Sequence, residues 1–235
     1  MAIDGTTDEA ELLAAVTELG TALRELVAAS VATTVGPAGL RAAAARARQV
    51  TAALEVSRRG LDQLPALDDP AQFRRVYNPV SGVGSALAPP LAIRRVDGGV
   101  EAEAVLGPPY EGPPSYVHGG MSALVLDQVL SAAAHAVGLW GMTGRLELDY
   151  RRPVPLGTAL LVRASVGDSR GRRVAIAGSI ALVETPDQPL VQARGMWVTP
   201  RPEQVEQYFS AITDAAGRPS RPHRPDDTAA VVDEG

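Results

Sequence analysis

The stretch that decides the fold runs from Glu111 to Asp127 and reads EGPPSYVHGGMSALVLD. Its first part is a loop rich in proline and glycine that ends in His118-Gly119-Gly120, and an apolar run that suits a helix follows over residues 121–137. Asp127 is the only Asp, Glu, Arg or Lys in that run. Glycines at a helix start leave backbone N–H groups open to an approaching oxygen, and an isolated carboxylate in an apolar helix is costly unless it has a use. The stretch therefore predicts an oxyanion site together with an acid, a base or a nucleophile.

Composition narrows the class of protein. A length of 235 residues with 46% hydrophobic residues predicts one domain with appendages. The net charge of −5 argues against a general nucleic-acid binder, which would carry a basic surface. Cysteine is absent and the three histidines are scattered, so we expect no disulfide framework, no thiolate nucleophile and no metal site. The acidic N-terminus lacks the features of a signal peptide, and no uncharged apolar run reaches the ~20 residues of a membrane span. We therefore expect a cytoplasmic protein without a membrane span.

The first 60 residues are predicted to form a helical extension. Residues 8–34 carry leucines and a valine at alternating spacings of four and three, which is typical of a narrow packing stripe. Gly36-Pro37 interrupts the pattern, and residues 38–60 are again helix-prone. The two helices are predicted to pair as a hairpin. Residues 61–90 are predicted to be a connector, including the Asn78–Gly84 segment, whose Gly-x-Gly lacks the context of a dinucleotide loop.

The remainder is predicted to be an α+β domain over residues 91–214. Asp97-Gly98-Gly99 is a strong hairpin signal between strands at 91–96 and 100–106. Alternation of apolar and polar residues, with intervening turns, predicts four more strands at 145–151, 159–166, 173–184 and 190–199. A short helix is predicted within 201–212 and a disordered tail over 215–235. An antiparallel sheet that curls around the apolar helix would bury it on most sides.

The rise of an α-helix separates the two chemical features of the opening stretch. Asp127 lies eight residues after Gly119, which is about 12 Å along the axis. A carbonyl held by the Gly119 and Gly120 N–H groups therefore cannot also touch Asp127 of the same helix. If both act on one substrate, the carboxylate comes from a second subunit, so the spacing predicts an obligate homodimer with two equivalent sites.

Acyl transfer to water is the chemistry that suits these groups. The helix start offers N–H donors and a positive dipole end to a developing oxyanion. Asp127 could act as general base to a water molecule or attack directly and form an anhydride, and the sequence leaves both routes open. His118 is either a general base or a structural residue that binds the loop backbone and fixes the glycines.

The residues from Glu111-Gly-Pro-Pro through His118-Gly119-Gly120 to Asp127, followed by Thr143 and Tyr150-Arg-Arg-Pro-Val-Pro-Leu-Gly157, resemble the hotdog-fold acyl-CoA thioesterases of the PaaI-like type. The resemblance spans roughly residues 78–200. It implies a long helix wrapped by a curved sheet, dimers that pair sheet edges, and a Gly119 or Gly120 N–H that donates to the thioester oxygen. It also implies that Asp127 comes from the partner subunit and that Thr143 orients Asp127 or the water.

An acyl-CoA substrate requires contacts at both of its ends, and we expect no further cofactor. Arginine side chains are suited to bind the phosphates of CoA. Two groups of arginines are candidates: Arg151 with Arg152, or Arg170, Arg172 and Arg173 at a turn. Apolar side chains suited to an acyl pocket are Met121, Leu124, Trp140 and Met142.

Two other functions compete with thioester hydrolysis. A hotdog hydratase or dehydratase would use His118 and Asp127 together near the α and β carbons of an enoyl or 3-hydroxyacyl thioester. A non-catalytic acyl-CoA-binding protein would use the N-terminal helices as its working part. The spacing from His-Gly-Gly to Asp127 favours the thioesterase, in a dimer or a dimer of dimers.

Overall fold

The fold is one long helix against a six-stranded sheet, preceded by two further helices. The structure is a computed structural model and describes residues 7–89 and 91–220. The helices are α1 (Thr7–Ala32), α2 (Pro37–Leu54), α3 (Gly119–Ala136) and α4 (Pro202–Phe209). The strands are β1 (Arg94–Val96), β2 (Gly99–Val105), β3 (Met142–Tyr150), β4 (Ala159–Arg170), β5 (Arg173–Leu182) and β6 (Val191–Val198). Short 3-10 turns lie at Pro70–Gln72 and Pro108–Tyr110. All six predicted strands and all four predicted helices are present, with boundaries that differ by a few residues.

The strands form an antiparallel sheet in the order β1-β2-β4-β5-β6-β3. The longest pairing, between β4 and β5, runs from Leu160 opposite Leu182 to Arg170 opposite Arg173. Helix α3 lies across one face and contacts every strand from β2 to β6. The predicted α+β arrangement, with a sheet curled around the apolar helix, is confirmed.

The core lies between α3 and this sheet face. Leu126, Val129 and Leu130 of the helix are fully buried, as are Val162 of β4 and Ile180 of β5. Burying one such side chain contributes about 1.5–3 kcal/mol, and alternation along each strand sends these residues to the same face. The position of α3 relative to the sheet is therefore fixed by its own apolar face.

One strip of α3 is left partly uncovered by the residues that the structure describes. Leu124 is 37% exposed, and Asp127 and Ser131 are half-buried. These residues are spaced three or four apart, so they share one side of the helix. The helix is therefore buried on most sides, as expected, and this strip is the exception.

The N-terminal helices differ in how they are held. Helix α1 lies close to the connector, because a Cβ added at Gly20 would clash with the Val83 carbonyl oxygen. Arg24 donates hydrogen bonds to the carbonyl oxygens of Val83 and Ser85, at 2.8 and 2.9 Å. Helix α2, by contrast, buries none of its residues. Among the described residues, α2 makes no extensive packing contact with α1, so the predicted hairpin is wrong. The sequence of α2 is mainly alanine and arginine, which favours a helix but offers little apolar area to bury.

The predicted tail begins with ordered turns. Ser220 N–H donates to the Ile212 carbonyl oxygen at 2.9 Å, and Arg218 N–H donates to the Asp214 carboxylate at 2.9 Å. This backbone hydrogen bond from Arg218, helped by its side chain and by Ala216 N–H, lowers the pKa of Asp214 below its ordinary value. Disorder is thus a wrong prediction for residues 215–220, and residues 221–235 lie outside the described part of the chain.

Within residues 7–89 and 91–220, no helix is both long enough and apolar enough to cross a bilayer.

Candidate active site

Helix α3 begins at His118, which is its N-cap residue with φ −60° and ψ 132°. The Gly120 N–H donates to His118 Nδ1 at 3.0 Å. An imidazole that accepts at Nδ1 carries its proton on Nε2 when neutral. The Nδ1 of His118 is therefore engaged within the helix start, which favours the structural alternative of the two that the sequence left open.

The Gly119 N–H, unlike that of Gly120, has no hydrogen-bond acceptor among the described residues. The Gly119 carbonyl oxygen accepts from the Tyr150 hydroxyl at 2.8 Å. The first N–H groups of a helix lack intrahelical partners and carry the positive end of the helix dipole. Gly119 thus presents an open donor at the helix start. The sequence did not predict the hydrogen bond from Tyr150 to Gly119, because the alternation of a strand does not indicate which helix its side chains contact.

The proline-rich loop before α3 is held at several points. His118 N–H donates to the Tyr110 carbonyl oxygen at 2.9 Å, and Ser115 N–H donates to Glu111 Oε1 at 2.7 Å. Ser115 has φ +69°, a region that non-glycine residues seldom adopt. Burial raises the pKa of Tyr110, while the Arg24 charge acts in the opposite direction. A residue with a strained backbone, in a loop held by several hydrogen bonds, is typical of segments that form part of a functional site.

Asp127 and Thr143 are brought together, as the resemblance implies. Thr143 Oγ1 donates to Asp127 Oδ1 at 2.9 Å. Thr143 lies at the start of β3, where the register to β6 shifts between Thr143 and Arg145. Such bulges commonly re-aim a side chain beside a functional site. The threonine therefore fixes one carboxylate oxygen, and Oδ2 has no hydrogen-bond partner among the described residues.

The glycines and the carboxylate remain far apart within one chain. Both lie on the 18-residue helix α3, at positions whose separation is about 12 Å along the axis. Asp127 also lies on the uncovered strip of that helix. Within one chain, therefore, Gly119 and Asp127 lie too far apart to contact the same carbonyl group, and we call these two positions the half-sites.

The two groups of arginines lie at opposite ends of β3. Arg151 and Arg152 follow its last residue, and Arg152 Nη2 donates to the Gln188 carbonyl oxygen at 2.8 Å. Arg173 lies two strands away from Met142, the first residue of β3. The hairpin turn that precedes Arg173 lines an open cavity of about 590 Å³, whose lining residues are Asp168, Arg170, Arg172, Arg173, Ala175 and Met196. Which arginines meet CoA stays a prediction.

A second cavity, of about 490 Å³, is lined by Gln128 and Met142, the sequence neighbours of Asp127 and Thr143. Asp127 and Thr143 themselves are not among its described lining residues. Trp140 and Met142 line it, but Met121 and Leu124 are not among its described lining residues. Met121 is instead half-buried and packs against the core. Polar residues that sequence reasoning did not assign to a site also line this cavity, namely Gln128 and Ser131 of α3 and Asn78 of the connector. For Gln128 and Ser131, the signal was the presence of two further polar residues within four positions of Asp127 in an otherwise apolar run.

The described residues contain no group of three or more His, Cys, Asp or Glu side chains that could hold a metal ion.

The comparison with solved structures decides the family. A crystal structure described as a thioesterase superfamily protein is 34% identical to this chain, with a TM-score of 0.70, and the match covers 78% of this chain and 94% of the other. This chain belongs to the thioesterase superfamily. The family model described as "Thioesterase superfamily" matches residues 115–180, which include α3 and most of β3 to β5. The hotdog fold that the sequence resemblance implied is thereby confirmed.

Curated relatives within the thioesterase superfamily match a shorter segment. Acyl-coenzyme A thioesterase THEM4 from Xenopus laevis is 38% identical over 68 residues, which is 29% of this chain and 31% of that protein. The protein of the same name from Rattus norvegicus is 31% identical over 70 residues, or 30% of each chain. The chain thus spans about a third of the length of the curated relatives that it matches.

Proposed function

We propose that this chain is an acyl-CoA thioesterase of the PaaI-like type that works as a homodimer and hydrolyses an acyl-CoA to a carboxylic acid and CoA. The observation that carries the proposal is the pair of half-sites on α3: an open Gly119 N–H at the helix start, and Asp127 held by Thr143 on the uncovered strip. The likeness to proteins named acyl-coenzyme A thioesterase supports the same substrate.

The dimer joins the half-sites into two equivalent sites. Among the described strands, β3 lies at an edge and pairs with β6 alone, so the described part of the chain leaves the backbone groups of its outer edge free. Such an edge is a template for pairing with a second copy, and antiparallel pairing of two β3 strands is self-complementary around a two-fold axis. Because Thr143 belongs to β3, this pairing carries Asp127 towards the partner subunit.

Hydrolysis then follows in two steps. The Asp127 carboxylate removes a proton from water as the water oxygen attacks the thioester carbonyl carbon. The carbonyl oxygen becomes an oxyanion that accepts from the Gly119 N–H of the other subunit, at the positive end of its α3. The tetrahedral intermediate collapses, the C–S bond breaks, and the proton on Asp127 passes to the leaving thiolate. Direct attack by Asp127, with an anhydride intermediate, uses the same groups and remains the alternative route.

Replacement of the carboxylate tests the proposal. In an assay of thiol release from a panel of acyl-CoAs, wild type should turn over at least one of them. Asp127→Ala should lose about 10²-fold or more of kcat, the usual contribution of a general base. Asp187→Ala, in an exposed turn, is the matched control. Hydrolysis by Asp127→Ala at the wild-type rate would exclude this mechanism.

The hydratase alternative is less well supported by the geometry. It would require the His118 imidazole to exchange protons with the substrate, but its Nδ1 already accepts the Gly120 N–H. His118 and Asp127 also stand at positions of one helix about 13 Å apart along the axis. No observation favours a purely binding role over the hydrolytic one.

A further inference from the structure

We propose that the cavity beside Asp127 holds the acyl group, and that Gln128 selects acyl groups that carry a neutral oxygen acceptor, such as a hydroxyl or a keto group. This inference rests on the proposed thioesterase function and concerns the substrate of that same site. Two observations support it: the residues that line the cavity, and a chain of hydrogen bonds that leaves the amide NH₂ of Gln128 without a partner among the described residues.

The cavity is lined by residues that are close in sequence to the proposed reaction centre. Ser131, which lines it, lies one helical turn after Asp127 on the same side of α3. Gly141 and Met142, which also line it, immediately precede Thr143. A volume of about 490 Å³ falls within the usual range for small-molecule sites. A thioester carbon held at Asp127 would therefore have its acyl group directed into this space.

Aromatic rings form the sides of the cavity. Phe73 has φ +58°, an unusual conformation for a bulky residue, and its ring stacks on His135 with centroids 4.8 Å apart. Trp140 meets Phe209 of α4 edge to face, with centroids 6.1 Å apart. These contacts fix the ring positions, so the cavity has built walls rather than being a gap between mobile side chains.

The far wall comes from two segments that are distant in sequence. Leu64 N–H donates to the Thr213 carbonyl oxygen, and Thr213 N–H donates to the Asp62 carbonyl oxygen, both at 2.8 Å. Leu61–Pro65 of the connector and Ile212 after α4 thus close the space together. Both segments lie outside the stretch 115–180 that matches the family model. The acyl end of the site is therefore a feature of this chain in addition to the common fold.

A relay of two amides fixes the orientation of Gln128. Asn78 Oδ1 accepts from the backbone N–H groups of Val80 and Ser81, at 2.8 and 3.1 Å. Its Nδ2 must therefore be the atom that faces Gln128, and it donates to Gln128 Oε1 at 3.0 Å. The Gln128 Nε2 group is then left as a donor, and it has no hydrogen-bond partner among the described residues. An amide lining a cavity with only its donors free is suited to a ligand oxygen that accepts.

Both arginines among the described lining residues already have partners, and the other charged lining residue, Asp62, is an acid that would not favour an acidic ligand. Arg75 Nε lies 2.6 Å from Oδ2 of Asp68, whose side chain is 2% exposed. Arg59 Nη1 donates to the Gln63 carbonyl oxygen at 2.8 Å. The free group nearest in sequence to Asp127 is thus the neutral donor of Gln128. This favours a neutral acceptor over a carboxylate on the acyl group.

The test compares pairs of acyl-CoAs that share one carbon skeleton. Hexanoyl-CoA and octanoyl-CoA are paired with the same chains bearing a hydroxyl or a keto group at successive positions, and the measured quantity is the ratio of kcat/KM within each pair. Wild type should favour the oxygenated member at one position or more, by about tenfold or more. Gln128→Glu keeps the acceptor for Asn78 but replaces the free donor by an acceptor, so the ratio should fall at least tenfold. Gln128→Leu should lower it as well, without adding a charge.

Controls separate this inference from the proposed function. Gln192→Leu, on the opposite face of the sheet, should keep the wild-type ratio. A ratio near one in wild type, or one that Gln128→Glu leaves unchanged, would overturn the inference while hydrolysis itself stands. If ω-carboxyacyl-CoAs are preferred, the neutral-acceptor assignment is wrong. If no acyl-CoA is hydrolysed, the proposed function fails, and calorimetric affinities of the same pairs for wild type and Gln128→Glu decide the inference alone.

Discussion

Two serines of α3 show how single hydroxyl groups act differently in one helix. Ser122 is 1% exposed, and its hydroxyl has no hydrogen-bond partner among the described residues. Ser131 Oγ accepts from the indole N–H of Trp197, which is itself 2% exposed, at 2.8 Å. A buried polar group without a partner destabilises a fold, whereas removal of one partner of a buried pair leaves the other unsatisfied.

The two serines therefore predict stability changes of opposite sign. Ser122→Ala should raise the free energy of unfolding by about 0.5–1 kcal/mol, because alanine also has the higher helix propensity. Ser131→Ala should lower it by about 1–3 kcal/mol, because the Trp197 N–H loses its acceptor. Denaturant unfolding of both variants checks this pair. Equal shifts in the same direction would show that helix propensity alone decides.

At the residue scale, the sequence was sufficient to predict a candidate site residue where its chemical type differed from that of its neighbours. Asp127 was conspicuous as the one carboxylate in an apolar run, and the family resemblance led to Thr143, which donates to it. Gln128 was not singled out, because a neutral amide beside a carboxylate has no distinctive pattern. Its role depends on Asn78, which lies 50 residues earlier in the chain. Contacts of that separation are settled by the fold and not by local sequence.

At the element scale, the loop before α3 is shaped by close packing against His118. A Cβ added at Gly112 would lie 2.7 Å from the His118 Cα atom, closer than real Cβ contacts allow. Since backbone atoms cannot move aside as a flexible side chain would, a substitution at Gly112 shifts the residue that caps α3. A Cβ at Gly107, in contrast, meets only the Pro109 side chain at an ordinary 3.8 Å.

Gly112→Ala should therefore reduce kcat/KM by about tenfold or more, because small displacements of a positioned donor are costly to catalysis. Gly107→Ala, in the same loop region, should stay close to wild type. The measurement is acyl-CoA hydrolysis, with circular dichroism to show that both variants keep their fold. Wild-type activity in Gly112→Ala would mean that the helix start tolerates movement.

The elements themselves were largely predictable, and the exception has a physical cause. Strand alternation and the Asp97-Gly98-Gly99 turn are local signals, so all strands were found near their observed bounds. The helical propensity of α2 was also read correctly, but its pairing with α1 was not. Propensity predicts that a helix forms, whereas packing depends on the apolar area that the partner surfaces offer.

At the scale of the whole molecule, the proposed dimer can be tested with two complementary variants. Gly119→Pro removes the open N–H while keeping the helix, because proline is tolerated at the first helical position. His118, the residue before it, has ψ 132°, which suits a residue that precedes proline. The variant should lose about 10²–10³-fold in kcat, as for removal of one oxyanion donor.

Mixing Gly119→Pro with Asp127→Ala should restore activity that neither variant has alone. In a two-fold dimer, each mixed pair contains one site with both defects and one with none. Random exchange of subunits should then recover about a quarter of wild-type activity, since about half of the dimers are mixed and each has one intact site. Refolding the two variants together and assaying hydrolysis checks this. No recovery, with dimers confirmed by sedimentation, would place both groups of a site in one subunit.

The closed end of the cavity has a consequence for how such a protein can change over time. Its wall joins residues 61–65 to residues 212–220, whereas Gly119, Asp127 and Thr143 lie in the central domain between them. Mutations in the flanking segments can therefore alter which acyl groups are accepted while the reacting groups stay intact. Exchange of these two segments would therefore be expected to change the accepted acyl group without changing the proposed catalytic residues.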